Sequence, residues 1–281
     1  MWARAGLLAA ALLLFSQGAQ AIAGGIEAAP GEVPSIAVMF YETPYTGKRV
    51  WCGGTLIRPT VVLTAGHCVA DGMDEMLAGV KVGVLRLDDP AAPLRNISRF
   101  IVHPDYYNSQ ADPDATTPGL DNDVALVLLD GPVEGVPLQR LADNSTEVEA
   151  GEALLAAGWG RVPGATAKTP NPNTLLTMEL AAVDLQECKE WFAAFNQSRL
   201  GGADNLCAGS SAANGTCSGD SGGPLLLDGV QVGIVSHGLF GEAARDGAPG
   251  GCGSAGQLNA FASVAHFRPW IDGVLAAEGL L

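Results

Sequence analysis

Positive charge is scarce in this chain: 15 Lys and Arg stand against 30 Asp and Glu, a formal net charge of −15 at pH 7. That balance repels the phosphate backbone of nucleic acids and anionic membrane surfaces, so neither is an expected partner, and the excess reads as a solubility feature. Metal-ligand spacing is also missing. No CxxC or HExxH pattern occurs and the four histidines are scattered, which argues against a zinc site. An apolar stretch long enough to cross a bilayer is absent as well, since the N-terminal run 7–15 is too short and nothing later is uninterrupted. Long helical patterns are few and no internal repeat is visible, whereas 37 Gly and 17 Pro punctuate the chain, which favours an all-β protein.

What is present begins with an export signal. Arg4 supplies a positive n-region, 7–15 an apolar core, and Ala19-Gln20-Ala21 a small-x-small cleavage site, so residues 1–21 are expected to be removed and the mature chain 22–281 to be secreted to the extracellular space. Ala21-Ile22-Ala23 is an alternative site. Loss of 1–21 removes Arg4 and no acidic residue, leaving a formal charge of about −16. Roughly 260 remaining residues can bury one large core or two smaller ones. In an exported chain Cys52, Cys68, Cys188, Cys207, Cys217 and Cys252 read as disulfides, with many connectivities open.

Short β-type runs at 35–41, 80–87, 124–129, 152–157, 175–183 and 225–235 are separated by Gly, Pro, Asn and Asp clusters. Asp228-Gly229 within the last run predicts a tight hairpin turn. Phe267, Trp270, Ile271, Val274 and Leu275 fall at helical spacing and predict one C-terminal amphipathic helix, with Pro269 in its first turn. The polar segment 130–151 is the candidate linker, dividing the chain into 22–140 and 141–281.

Three separated motifs carry chemistry: Thr64-Ala65-Gly66-His67-Cys68, Asp121-Asn122-Asp123-Val124-Ala125-Leu126 and Gly219-Asp220-Ser221-Gly222-Gly223-Pro224. A serine hydroxyl is a poor nucleophile at neutral pH, so it needs an imidazole to take its proton and a carboxylate to fix that imidazole's tautomer. Each motif supplies one of these groups. GxSxG alone also matches the nucleophile elbow of acyl hydrolases on another fold, but the flanking Cys217 and Pro224, the following hairpin and the order His, Asp, Ser disfavour that reading.

Jointly, and with Cys52-Gly53-Gly54, Gly158-Trp159-Gly160 and Trp270-Ile271, these motifs resemble the chymotrypsin-like serine peptidase family over nearly the whole mature chain. The resemblance implies two six-stranded antiparallel Greek-key β-barrels with a C-terminal α-helix, and a monomeric secreted endopeptidase acting on proteins or peptides without a cofactor or metal. Protein protease inhibitors are implied partners. Ser221 would be the nucleophile, His67 the general base and Asp123 its orienting partner, with the N–H groups of Gly219 and Ser221 as oxyanion hole. The family pattern pairs Cys52 with Cys68, Cys188 with Cys207 and Cys217 with Cys252. Ile22-Ala23-Gly24-Gly25 is similar to the family's activated N-terminus, whose ammonium would pair with Asp220, and cleavage after Ala21 would expose it with no propeptide stage.

Gly215 stands where a trypsin-like pocket floor carries aspartate, so Gly215, Thr216, Ser236, Gly238 and Asn259 imply an uncharged P1 residue, apolar or aromatic. His237 departs from the family's usual tryptophan and has no partner visible in sequence, so it is given no catalytic role. The long segment 239–251 reads either as a reshaped pocket entrance or as a solvated loop. His103 is assigned a structural role, and no acidic calcium loop is recognisable. Asn96, Asn144, Asn196 and Asn214 head glycosylation sequons, Asn214 being the least exposed to modification because it abuts the pocket. A binding protein that keeps the peptidase fold without catalysis is the competing reading; such proteins lose a triad residue or the nearby glycines, all of which are present here.

Overall fold

In the computed structural model the residues described are 25–43, 47–73, 76–92, 94–109, 111, 119–161, 170–195, 200, 202–212, 214–238 and 254–281. The chain enters through β1 (Ile26–Glu27) and then lays down β2 (Ile36–Thr43), β3 (Gly47–Arg58), β4 (Val61–Thr64), β5 (Leu77–Val82) and β6 (Ile97–Val102). The small pair β7 (Tyr107–Asn108) and β8 (Leu120–Asp121) precedes β9 (Ala125–Leu129). β5, β2, β3, β4, β9 and β6 form one six-stranded antiparallel sheet in that spatial order. Its ends meet through the bridge between Val80 and Arg95, two hydrogen bonds of 2.9 and 2.7 Å just before β6, so the sheet curls into a barrel.

The second half contains β10 (Arg140–Leu141), β11 (Ala153–Gly158), β12 (Leu176–Val183), β13 (Asn205–Gly209), β14 (Pro224–Leu227), β15 (Val230–Gly238) and β16 (Leu258–Ser263). Six of these close a ring, β12-β11-β14-β15-β16-β13 and back to β12. β1 adds to β12 from outside and β10 runs parallel along β15, which makes the full sheet eight-stranded. The two-barrel architecture and terminal helix agree with the sequence reading.

Local chemistry explains several of these elements. Asp228 and Gly229 both take positive φ, 48° and 74°, the requirement of a two-residue hairpin turn between β14 and β15. Every residue of β4 is buried, and β9 is nearly so, because these strands sit at the centre of the first barrel. A continuous core then runs from Leu56, Leu63 and Leu126 of the first barrel to Ile234, Phe261 and Phe267 of the second half. A polar contact also stitches the barrels, Thr55 Oγ1 to Gln231 Oε1 at 2.6 Å in a fully buried setting, and Ser35 Oγ donates to Gln139 Oε1 of the connecting segment at 2.6 Å.

Two sequence expectations need correction. Helix α1 (Leu185–Ala194) was not foreseen; its signal is Asp184, whose carboxylate accepts from the N–H groups of Gln186 and Glu187 while Cys188 and Phe192 bury the apolar side. The C-terminal helix α2 (Val264–Ala277) begins earlier than the apolar spacing suggested, because the Ser263 side chain caps it by accepting from His266 N–H. Pro269 therefore lies inside the helix rather than in its first turn, at a position whose missing N–H leaves one carbonyl of the preceding turn without its usual helical partner. Tertiary burial of Val264, Phe267, Ile271 and Leu275 overrides that cost.

Phe267 is 2 % exposed and its ring meets His103 edge-on at 5.4 Å between centroids. Phe267→Ala should destabilise the fold by about 3–5 kcal/mol. Urea unfolding should show a lower midpoint at an unchanged slope.

Candidate active site

β4 ends at Thr64, and a single 3-10 turn, Gly66–Cys68, then carries His67. The disulfide between Cys52 of β3 and Cys68 fixes that turn to the barrel. Asp123 sits two residues before the start of β9, where Asn122 takes a left-handed φ of 49° and its side chain donates to Asp105 O at 2.9 Å. Across this junction the His67 Nδ1 lies 2.8 Å from Asp123 Oδ2, and the His67 backbone N–H donates to Oδ1 at 2.8 Å. Ser236 Oγ, from the other barrel, donates to Oδ2 at 2.6 Å.

Asp123 is 3 % exposed and the His67 side chain 20 %. Burial opposes charge on both, but the paired partner wins in each case. The Asp123 carboxyl is held below its ordinary range, burial being offset by the His67 charge, the His67 and Ser236 side-chain hydrogen bonds and the His67 N–H. Burial lowers the His67 imidazole, yet the Asp123 charge and hydrogen bond, with a smaller pull from Asp71, leave it above its usual value.

Ser221 is held close to the same turn by its backbone. Its carbonyl accepts from Gly53 N–H at 2.7 Å, and a Cβ added at Gly222 would lie 2.2 Å from Thr64 Oγ1, so 221–222 packs against 64–65. Gly222 has φ +77° and no room for a side chain. The Ser221 hydroxyl makes no hydrogen bond among the described residues, and none to His67. Backbone donors along this loop divide sharply. The N–H groups of Asp220, Gly222 and Gly223 are bonded to Cys217 O, Val235 O and Asp220 O, whereas those of Gly219 and Ser221 meet no acceptor among the described residues. Gly219 has φ +102°, a conformation that L side chains rarely adopt.

Beneath the loop lies a second buried carboxylate, Asp220, 1 % exposed. It accepts from Gly160 N–H at 2.7 Å and Cys217 N–H at 2.9 Å. Glycine is required on both sides of Trp159: a Cβ at Gly158 would fall 2.2 Å, and one at Gly160 2.0 Å, from the Asp220 carboxylate oxygens. Burial outweighs these two N–H donors, the ones present among the described residues, and pushes the Asp220 carboxyl up to about 6. Ile22, the expected counter-ion, lies outside the described residues.

Of the residues expected to form a substrate pocket, Gly238 and Asn259 are cross-strand partners on β15 and β16. Gly215 and Thr216 are buried, and the Thr216 hydroxyl and both amide atoms of Asn259 have no hydrogen-bond partner among the described residues. Ser236 is 4 % exposed, with its hydroxyl directed at Asp123.

His237, which showed no partner in sequence, has one here. Its Nδ1 lies 3.1 Å from Ser236 Oγ, and because the Ser236 proton is directed at Asp123, the arrangement suits an Nδ1–H donating to Ser236. Its ring meets Phe192 of α1 at 5.6 Å, and burial pushes its imidazole down to about 4 despite nearby Asp123. His103 packs against Phe267 and Trp270.

The Cys52–Cys68 and Cys188–Cys207 bridges are formed. Cys217 is also disulfide-bonded, while Cys252 and the 239–251 segment lie outside the described residues. Cys52, His67 and Cys68 place potential ligand atoms within 4.8 Å of one another, but both sulfurs are consumed by the disulfide and offer no thiolate. Asn96 and Asn144 are exposed, Asn214 is half-buried, and Asn196 lies outside the described residues.

The family model described as Trypsin matches residues 22–271. Brachyurin of Leptuca pugilator is 32 % identical over 252 residues, covering 89 % of this chain and 97 % of the relative. Chymase of Cavia porcellus is 32 % identical over 277 residues, covering 97 % and 99 %. Among solved structures, neuropsin, a serine protease expressed in the limbic system of mouse brain, superposes with a TM-score of 0.70 at 25 % identity, covering 90 % of this chain and 99 % of that one.

The His67 imidazole should titrate above 6.5 in the folded protein, and Asp123→Asn should bring the midpoint below 6.5, because the opposing burial then acts without the carboxylate. Imidazole nitrogen shifts followed by NMR across pH 4–9 (about that span,) test this.

Proposed function

The chain belongs to the trypsin family of serine endopeptidases, and from that premise we propose that Ser221, His67 and Asp123 are its catalytic triad. The observation that carries the reading is the grip of Asp123 on His67, in which one carboxylate oxygen takes the backbone N–H and the other faces Nδ1. With Nδ1–H committed to Asp123, Nε2 is left basic, the tautomer needed to take a proton from a serine hydroxyl. Ser221 Oγ would attack the scissile carbonyl as His67 accepts its proton. The developing oxyanion would be received by the unspent N–H groups of Gly219 and Ser221. His67 then protonates the leaving amine, and water hydrolyses the acyl-enzyme by the same route in reverse. The absence of a Ser221–His67 hydrogen bond without substrate is compatible with this, since such contacts often tighten only in the Michaelis complex.

The activating ion pair belongs to the same proposal. A buried carboxylate held by two N–H groups stays partly protonated near pH 6, and an ammonium at Ile22 would keep Asp220 ionised and the 217–223 loop in place. Secretion after removal of 1–21 and the third bridge, Cys217 to Cys252, complete the reading; among the described residues no helix is long and apolar enough to cross a membrane.

For specificity, the pocket residues Gly215, Thr216, Gly238 and Asn259 carry no charge, which supports an uncharged P1 side chain. Apolar and aromatic residues head the expected set, and the unpartnered Thr216 and Asn259 groups leave hydrogen-bonding capacity for an uncharged polar one.

Labelling with an active-serine phosphonylating reagent tests the proposal. Mature protein should take up about one equivalent, and Ser221→Ala none while retaining its fold; turnover of a P1-diverse peptide library should fall by several orders of magnitude in the variant. Absence of labelling in folded, disulfide-bonded protein would favour a binding protein on the peptidase fold.

A further inference from the structure

A cavity opens beside Gly219, lined by residues of both barrels. Tyr41, Arg49 and Trp51 of β2 and β3 form one wall, and Arg161 and Asn171 face them from the second half. The walls are held in place. Trp51 Nε1 donates to Cys68 O at 2.8 Å, and the Tyr41 and Trp51 rings meet edge-on at 5.7 Å. Arg161 N–H donates to Ser218 O at 2.9 Å, and Asn171 Nδ2 to Trp159 O at 2.8 Å. The lining is aromatic and includes one arginine from each half, in a chain that has only 15 basic residues against 30 acidic.

The position of the cavity follows from the acyl-transfer reading, on which this inference rests. If the scissile carbonyl oxygen points at Gly219 and Ser221 N–H, the acyl half runs toward Gly238 and Asn259 on β15 and β16. His67 gives its proton to the leaving amine, so the downstream half departs over the His67–Cys68 turn. Trp51 is bonded to that turn, and the cavity begins at Trp51. We propose that the cavity is a subsite for the leaving half of the substrate and that it selects an acidic side chain, Asp or Glu, within the first three residues after the scissile bond.

Guanidinium suits this task because its planar fork matches a carboxylate and is only weakly hydrated. The overall negative charge of the protein does not cancel the effect. Charges beyond about 8 Å are largely screened at physiological salt, whereas the arginines would act at contact distance. The preference should therefore be local, moderate in size and sensitive to salt.

The experiment uses quenched fluorogenic peptides with one acyl half, differing only by Glu, Gln or Lys at the first, second or third downstream position. At one of these positions kcat/KM for Glu should exceed that for Gln by about five- to tenfold, with Lys lowest. The Glu-to-Gln ratio should fall towards unity in 0.5 M salt (roughly a 4 Å screening length,) and in Arg49→Gln/Arg161→Gln. Because the readout is a ratio, a general loss of activity in the variant cannot imitate the result. A ratio of one or less at every position, or one unchanged in the double variant, overturns the subsite. Ser221 phosphonylation and hydrolysis of a chromogenic amide with no downstream residue are run alongside on the wild type. Activity there with no acidic preference removes the subsite alone, whereas no labelling and no hydrolysis remove the acyl-transfer reading and the subsite with it.

Discussion

The buried carboxylate of Asp123 is the constraint around which the two barrels come together. An ionised group 3 % exposed would be costly without partners, and its donors come from both halves of the chain: the His67 N–H and imidazole from the first barrel, the Ser236 hydroxyl from the second. Docking the barrels therefore completes the solvation of Asp123 and, in the same act, orients His67. The neighbouring stitches, Thr55 to Gln231 and Gly53 to the Ser221 carbonyl, fix the approach to within hydrogen-bond tolerance. Neither barrel alone contains all the donors bonded to Asp123, so its set of partners is complete only with both in place.

Asp220 shows the same physics with a different balance. Both carboxylates are nearly inaccessible, yet Asp123 is pulled below its usual range and Asp220 is pushed up to about 6. The difference is the cation: Asp123 faces an imidazole that gains charge beside it, whereas among the described residues Asp220 has the N–H groups of Gly160 and Cys217 alone. The space around Asp220 is shaped for the carboxylate, with Gly158 and Gly160 shaved to bare backbone. On the proposed pairing with Ile22, a carboxylate so closely fitted would respond to a positive charge brought beside it. That response would reach Ser221, which follows it directly in the chain.

The parts legible in the sequence are those whose chemistry is local. The three motifs hold their own neighbours, the Asp228-Gly229 turn declares its φ requirement, and the apolar spacing of 267–275 marks a helix. What escaped depends on partners far away in the chain. Helix α1 rests on an Asp184 cap and on a packing face of only Cys188 and Phe192, too sparse a pattern to read along the sequence. Pro269 was assigned to a first turn because its helix-breaking character is visible locally, while the Ser263 cap and the burial that outweigh it are not. Ser236 is a pocket candidate in the sequence, and its hydroxyl bond to Asp123, 113 positions away, is not visible there. His237 shows no partner in sequence for the same reason: its partner is Ser236, and an adjacent serine signals nothing until the strand is folded.

Distance in sequence also explains why selectivity is the least legible property. Tyr41, Arg49, Arg161 and Asn171 form no motif and meet only because β2 and β3 of one barrel face the segment following β11 of the other. A uniform negative surface would disfavour acidic peptides everywhere, but uniform charge acts through screened, long-range potential and cannot distinguish one residue of a bound chain from the next. Discrimination between neighbouring residues has to come from groups at contact distance. On the proposed acyl side those groups are uncharged and, among the described residues, partly unpaired, Thr216 and Asn259; on the proposed leaving side they are two arginines beside aromatic rings. A peptide spanning both would be oriented by the contrast between them, since reversing its direction would place its acidic residue in the uncharged pocket, where a carboxylate loses water without gaining a counter-ion.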